Sequence, residues 1–281
     1  MVGTAKGDMS EIAFTKMHGC GNDFIFIDCL SGEIGALGKL AKRLCDRRFG
    51  IGADQFLTVH PSRIADFKME IYNADGGQVE MCGNGIRCFA KYVYDHGLTE
   101  KRELAVETLA GIIRPRLVGN QVEVDMGEPI LEGRKIPVDG DARIIDYPLE
   151  VDGTTYRVSC VSMGNPHCVV YLDDPEGLDL EKIGPRFEHH PFFPKRVNTE
   201  FVKILGPREV RMRVWERGAG ETWACGTGAC AAGVAGVLVG KNERKVTVHL
   251  RGGDLLIEWR EDNHVYMTGG AEEVFQGTVK I

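Results

Sequence analysis

The sequence predicts an α+β fold of two pseudo-symmetric β-rich domains, each wrapping one central helix, with the active site in the cleft between them. Three observations carry this prediction. A short motif occurs twice, since residues 80–88 read EMCGNGIRC and residues 223–230 read WACGTGAC. The leading cysteines lie 143 positions apart (225 − 82), as do Asn73 and Glu216 (216 − 73) and Asn22 and Asn165 (165 − 22). Residues 69–85 also align without a gap on residues 212–228, placing Met on Met, Cys on Cys, Ile71 on Val214 and Tyr72 on Trp215. Self-similarity at about half the chain length is the mark of a duplicated unit. Finally, residues 227–239 (TGACAAGVAGVLV) carry no charge on any face, so a helix there must be buried all round and strands must surround it.

The elements follow in order. The first half opens with a strand at 12–16, a turn HGCGN at 18–22 and a strand at 23–28. A helix at about 36–46 stops before the FGIGAD turn, and strands at 55–60 and 67–73 lead to the Cys82 loop. Residues 85–96 have helical pattern with Gly97 at the C′ position. The second half repeats this order, with SMGNPH at 162–167 as its turn and the apolar helix after Cys225. Later matches are looser: 107–117 resembles 249–259, and QVEVDMG at 121–127 resembles HVYMTGG at 264–270. Glycine and proline in MGEP, 126–129, set the expected boundary, giving domains 1–126 and 127–271. The terminal strand within 272–281 is expected to return to the first domain.

A chain of 281 residues with 43% hydrophobic content is long enough for two such cores of roughly 130 residues each. A net charge of −7, without a basic run, argues against nucleic acid or an anionic membrane as partner and for a small-molecule substrate. No apolar run would span a bilayer, and the first residues, with Asp8 and Glu11, do not form a signal peptide, so a cytoplasmic location is expected. Nine cysteines without short regular spacings read as reduced thiols rather than a disulfide framework.

Cys82 and Cys225 each sit just ahead of a helix, where unpaired N–H groups and the positive end of the helix dipole favour an anion. That position is expected to lower a thiol below the free value of about 8.5 and make it a usable base. The same N–H groups can bind a carboxylate, and Gly83, Gly85, Gly226 and Gly228 let it approach the backbone. Two such sites suit removal of a proton from one face of a carbon and delivery to the other. A lone cysteine in a glycine turn is more often core, but duplication of the whole context argues against that here. Cys88 and Cys230, inside the helices, read as core. No C-x-x-C pair occurs, so no metal site is expected. His18 and His167 each follow a strand into a glycine turn, where packing is the bland alternative. Glu216 and Arg217 end an apolar strand just before the second thiol, which puts both charges near it.

At these residues the sequence resembles the diaminopimelate epimerases, the pyridoxal-phosphate-independent enzymes of bacterial and plant lysine synthesis. MHGCGNDF (17–24), NADG (73–76), MCGNGIRC (81–88), GNPH (164–167) and ERGAGETWACGTGA (216–229) agree in residue and order. The resemblance implies interconversion of LL- and meso-2,6-diaminopimelate, a lysine and peptidoglycan precursor, by a thiolate and thiol pair without cofactor or metal. It makes Cys82 and Cys225 the acid/base pair. Asn22, Gln55, Asn73, Asn165, Asn198, Glu216 and Arg217 would contact substrate, and the backbone of Gly83, Asn84, Gly226 and Thr227 would hold the carboxylate of the reacting centre. His167 and Glu216 would tune the thiols, as an imidazole and a carboxylate can. A homodimer is implied as well. Proline racemases share the fold and cysteine pair but usually show histidine where Asn84 stands. Phenazine-synthesis isomerases lack the pair. A non-catalytic amino-acid-binding protein would use the same cleft.

Overall fold

The computed structural model describes residues 11–138, 140 and 142–280. The expected extension ahead of residue 14 therefore lies largely outside the described residues. The chain forms two compact units, one of the segment up to His18, Asp23–Ile113 and the segment from Glu272, the other of Gly19–Asn22 and Arg114–Ala271.

The first unit contains β1 (Glu11–Gly19), β2 (Asn22–Asp28), α1 (Leu37–Leu44), β3 (Gln55–His60), β4 (Phe67–Asn73), the short β5 (Gln78–Val79), α2 (Gly83–Asp95), β6 (Val106–Thr108) and β7 (Gly111–Ile113). Its sheet runs β1-β2-β3-β4-β6-β7, with the C-terminal strand Glu272–Lys280 antiparallel on the outer edge of β1. β2 and β3 are parallel with Phe24 opposite Gln55, which requires the crossover that α1 supplies. β4 alternates, burying Phe67, Met69 and Ile71 on one face, as a half-buried strand does. α2 buries Ile86, Cys88, Phe89, Ala90 and Val93, with Phe89 edge-on to Phe67 and Tyr92 stacked on Phe26. It ends at Gly97, whose φ of 68° is the left-handed turn a C′ glycine provides.

The second unit adds β8 (Arg116–Val118), β9 (Gln121–Asp125), a short 3₁₀ turn at Gly133–Lys135, β10 (Tyr147–Val151), β11 (Thr154–Ser162), β12 (Pro166–Tyr171), α3 (Leu180–Glu188), β13 (Asn198–Gly206), β14 (Glu209–Glu216), β15 (Gly220–Thr222), α4 (Gly226–Leu238), β16 (Lys245–Leu250), β17 (Gly253–Trp259) and β18 (Val265–Gly269). Its sheet runs β10-β11-β12-β13-β14-β16-β17-β18-β9-β8. α4 packs against β11 to β13 and β16 to β18, the surrounding strands its uncharged sequence calls for. Gly226 and every residue from Gly228 to Gly236 are buried. A second apolar cluster joins α3, through Leu180 and Phe187, to Val158, Val170, Phe201 and Trp215.

The duplication extends to strand register. Phe24 opposite Gln55 and Gln55 opposite Asn73 in the first unit correspond, 143 positions on, to His167 opposite Asn198 and to β13–β14 pairing that sets Thr199 opposite Trp215. One segment does not stay with its half. β8 and β9 lie upstream of the expected boundary at 126, yet both pair into the second sheet, and β9 runs antiparallel to β18 with Val124 opposite Met267. These are the two segments whose sequences match at 121–127 and 264–270. Each repeat ends in the same strand, and the first repeat's copy pairs with the second's.

Candidate active site

Cys82 and Cys225 are the N-cap residues of α2 and α4, two 13-residue helices, and both have extended backbones (φ −138°, ψ 120° and φ −122°, ψ 108°). An N-cap needs that conformation for its side chain to reach the first free N–H groups. The sequence makes it by setting a cysteine after an extended run and ahead of glycines.

Around Cys82 the thiol is half-buried, and the Gly85 N–H donates to its Sγ at 3.4 Å. Phe24 and Leu57 border the first turn at Gly85. Asn84 is buried, with its Oδ1 accepting from Arg87 Nη2 at 3.0 Å. Gln55 Nε2 donates to Asn73 Oδ1 at 2.9 Å, while Gln55 Oε1 is buried without a hydrogen-bond partner. Asn22 opens β2 in the segment that groups with the second unit.

Around Cys225 the thiol is buried, and its Sγ lies 3.5 Å from Thr227 Oγ1. The Gly228 amide also favours the thiolate, though its geometry falls short of a capping hydrogen bond. These contacts do not set the outcome. Burial pushes the Cys225 thiol well above its ordinary range, and the carboxylates of Glu216 and Glu200 push it further. For Cys225 this corrects the expectation that a helix start lowers the thiol. The helix dipole is a modest effect, worth about 1 kcal/mol or less at exposed ends, and removal from water outweighs it. Glu216, itself lifted by burial, accepts from Thr222 Oγ1 at 2.5 Å.

His167 and Glu200 are fully buried, with His167 Nδ1 2.7 Å from Glu200 Oε1 and His167 Nε2 3.0 Å from Asn165 Oδ1. Asn198 spends its amide on backbone, donating to Pro166 O at 2.8 Å and accepting from Arg217 N–H at 2.9 Å. The exposed Arg217 guanidinium donates to Lys195 O at 3.1 Å. The second unit thus brings together Asn165, His167, Asn198, Glu216, Arg217, Cys225, Gly226 and Thr227. The first assembles Gln55 with Asn73, and Cys82 with Gly83 and Asn84.

Two buried carboxylates escaped the sequence reading. Glu200 stands in NTEFV, which reads as an ordinary strand. Glu188 ends α3 and is buried, accepting from Trp215 Nε1 at 2.8 Å and from Gly218 N–H at 3.0 Å, so it braces the turn after Arg217. The 143-residue repeat offered a signal for Glu200, because its counterpart is Leu57. None of the nine cysteines, all among the described residues, is joined in a disulfide, and no group of His, Cys, Asp or Glu among the described residues is arranged to hold a metal ion. No helix among the described residues is long and apolar enough to cross a membrane.

Comparison with known proteins agrees with the motifs. Residues 14–132 and 159–274 match the family described as diaminopimelate epimerase. The diaminopimelate epimerase of Moorella thermoacetica is 58% identical over 272 residues, covering 94% of this chain and 98% of that protein. That of Acetivibrio thermocellus is 54% identical over 275 residues, covering 95% and 98%. A Bacillus anthracis phenazine biosynthesis protein shares the fold at 15% identity, with a TM-score of 0.68 over 97% of this chain and 100% of its own.

Proposed function

Since the chain belongs to the diaminopimelate epimerase family, we propose that Cys82 and Cys225 are the two proton-transfer groups by which it interconverts LL- and meso-2,6-diaminopimelate. The enzyme class is plain: the chain is an epimerase of lysine biosynthesis. The assignment of residues rests on one observation, that the two thiols are N-caps of equivalent helices in equivalent backbone conformations.

In the proposed reaction one cysteine, as thiolate, takes the α-proton. The C–H bond breaks, an S–H bond forms, and the electron pair passes into the carboxylate of the reacting centre. The other cysteine, as thiol, then gives its proton to the opposite face. One thiolate is present before and after, so the same pair runs the reverse direction with roles exchanged. The carboxylate would lie at the N–H groups of Gly83, Asn84, Gly226 and Thr227, in the first turns of the two helices, where a helix start favours negative charge. Because the chain supplies both proton-transfer groups, the reaction draws on neither cofactor nor metal. Arg217 would hold the distal carboxylate with two parallel hydrogen bonds, and the unpartnered Gln55 Oε1 would accept from an ammonium. Asn22, Asn73 and Asn165 would complete the polar contacts, with Asn198 fixing the Arg217 backbone and Glu216 acting on the Cys225 thiol.

We assign the protein to the cytoplasm, where a reducing milieu keeps such thiols free, and infer a homodimer from the family resemblance. The test is solvent labelling. In D2O, at low conversion of LL-diaminopimelate, product should carry deuterium while recovered substrate stays largely unlabelled. Equal label in both would sink the two-thiol assignment. A racemase assay on proline run alongside should show no turnover.

A further inference from the structure

Beneath the first turn of α4 lies a buried ionisable pair that the reaction as described does not use. Glu200 is wholly buried on β13, with Oε1 2.7 Å from His167 Nδ1 on β12. Its Oε2 is buried without a hydrogen-bond partner. The carboxylate lies so close to the start of α4 that a Cβ at Gly228 would fall 2.7 Å from Oε1 and 3.3 Å from Cys225 Sγ. Burying a carboxylate with one oxygen unmatched is costly, and the fold does not require it. The equivalent positions of the first unit carry Leu57 for Glu200 and Phe24 for His167, in the same register, beneath Gly85.

We propose that Glu200 is a positioning residue for the second thiol: it clamps His167 through Nδ1 and places its carboxylate beside Cys225, so that Cys225 rests as the thiol when no substrate is bound. This rests on the assignment of Cys225 as a proton-transfer group. Phe24 and Leu57 stand at the corresponding positions of the first unit, so the repeat does not place this carboxylate beneath the first helix start. Another titratable group facing this site is Glu216 on β14, beside the thiol, while Cys168 on β12, which Glu200 also influences, packs on the other face of the sheet with Val170 and Phe201. Glu216 lies at the edge of the site and is held by Thr222, whereas Glu200 is sealed beneath it. The direction of the Cys225 shift agrees, since Glu200 is among its causes.

The experiment follows iodoacetamide alkylation of each cysteine against pH by peptide mass spectrometry, with no substrate present. In the unmutated protein the Cys225 midpoint should lie above the free-thiol value of about 8.5. In Glu200→Gln, which keeps the shape and a hydrogen bond to His167, that midpoint should fall by about one unit or more, the size of a close like-charge effect. Glu200→Asp should retain the raised midpoint, because it keeps the charge. A folded Glu200→Gln with an unmoved Cys225 midpoint would overturn the proposal. So would an unmutated protein whose Cys225 midpoint sits at or below the free value, a result that needs no variant to fold. Epimerase activity is assayed on the same samples. Loss of turnover by about tenfold in Glu200→Gln is expected, as for other residues that act through a neighbour. Unmutated protein inactive on diaminopimelate would instead refute the proposed function, leaving the alkylation result to be judged by itself.

Discussion

Cys82 and Cys225 occupy the same backbone position, yet the first is half-buried and accepts from its own helix at Gly85, with Phe24 and Leu57 beneath. The second is sealed, lacks that capping bond and has Glu216, Glu200 and His167 around it. Duplication preserved the scaffold, and divergence at a few strand positions changed the charge around the second thiol. The lesson is that a helix start offers a site for an anion but does not decide whether a thiol there is ionised. Desolvation and neighbouring carboxylates are the larger effects.

The harshest way to break the comparison is to remove either thiol. Cys82→Ala and Cys225→Ala should each lower epimerisation by at least a hundredfold to ten-thousandfold, the usual range for a lost acid/base group, with the fold intact by circular dichroism. If one half could serve both faces, one of the two variants would keep substantial activity. Next in size is a contrast between glycines. Gly228→Ala would drive a methyl to 2.7 Å from Glu200 Oε1, whereas at Gly85 the nearest atoms are the Cys82 Cβ at 3.3 Å and Leu57 at 3.4 Å. Forcing a methyl into a packed site costs about 1–3 kcal/mol, and Glu200 is sealed and held by His167, so Gly228→Ala should fall at the upper end of that range. Gly85→Ala should stay within about 1 kcal/mol of the unmutated protein, because alanine's helix preference offsets the tight fit. Denaturant unfolding of both variants checks this, and equal losses would mean the two first turns are packed alike.

Much of this was legible in sequence because local pattern and internal repetition pointed the same way. The strands at 55–60 and 67–73 form over those residues, and the uncharged 227–239 segment is the buried helix expected of it. Offsets read from letters reappear as register between strands. What stayed hidden depends on partners distant in the chain. Glu200 looks like a strand residue that could as well face water, and only His167, 33 positions earlier, shows it to be buried. Glu188 in FEHH reads as a solvated helix end until Trp215 and Gly218 are seen to donate to it. The pairing of β9 with β18 was likewise invisible, because two similar strands can each complete either half, and sequence similarity does not say which.

A gentler perturbation tests binding rather than proton transfer. Arg217 is exposed, with one guanidinium hydrogen bond to Lys195 O, and so is available to a ligand. A lysine cannot reproduce a two-point contact to a carboxylate, and Arg217→Lys should lose about tenfold or more in kcat/KM for diaminopimelate. The thiol alkylation profiles should not change, since Arg217 is proposed to hold the distal end of the substrate and not to act on either thiol. Unaltered kinetics would remove Arg217 from the site and leave the contrast between the two thiols untouched.

The smallest expected effect concerns stability at alkaline pH. Burial, reinforced by Glu216 and Glu200, raises the Cys225 thiol in the folded protein above its unfolded value. Between those values the folded state holds a proton that the unfolded state has lost, so stability falls as pH rises from about 9. The contribution is fully present below the unfolded value and disappears as pH climbs through the folded one. Cys168, raised by burial and by its neighbour Cys160, adds to the same decline, as do Cys29, lifted by burial to about 11, and Cys45, to about 12. Cys225→Ala removes one of these protons. Its unfolding free energy, followed by denaturant titration from pH 8 to 10, should decline less steeply than that of the unmutated protein, by at most about 1.4 kcal/mol per pH unit. Equal slopes would mean that the second thiol is not held protonated by its surroundings, and the chemical difference between the two halves would then have to lie elsewhere.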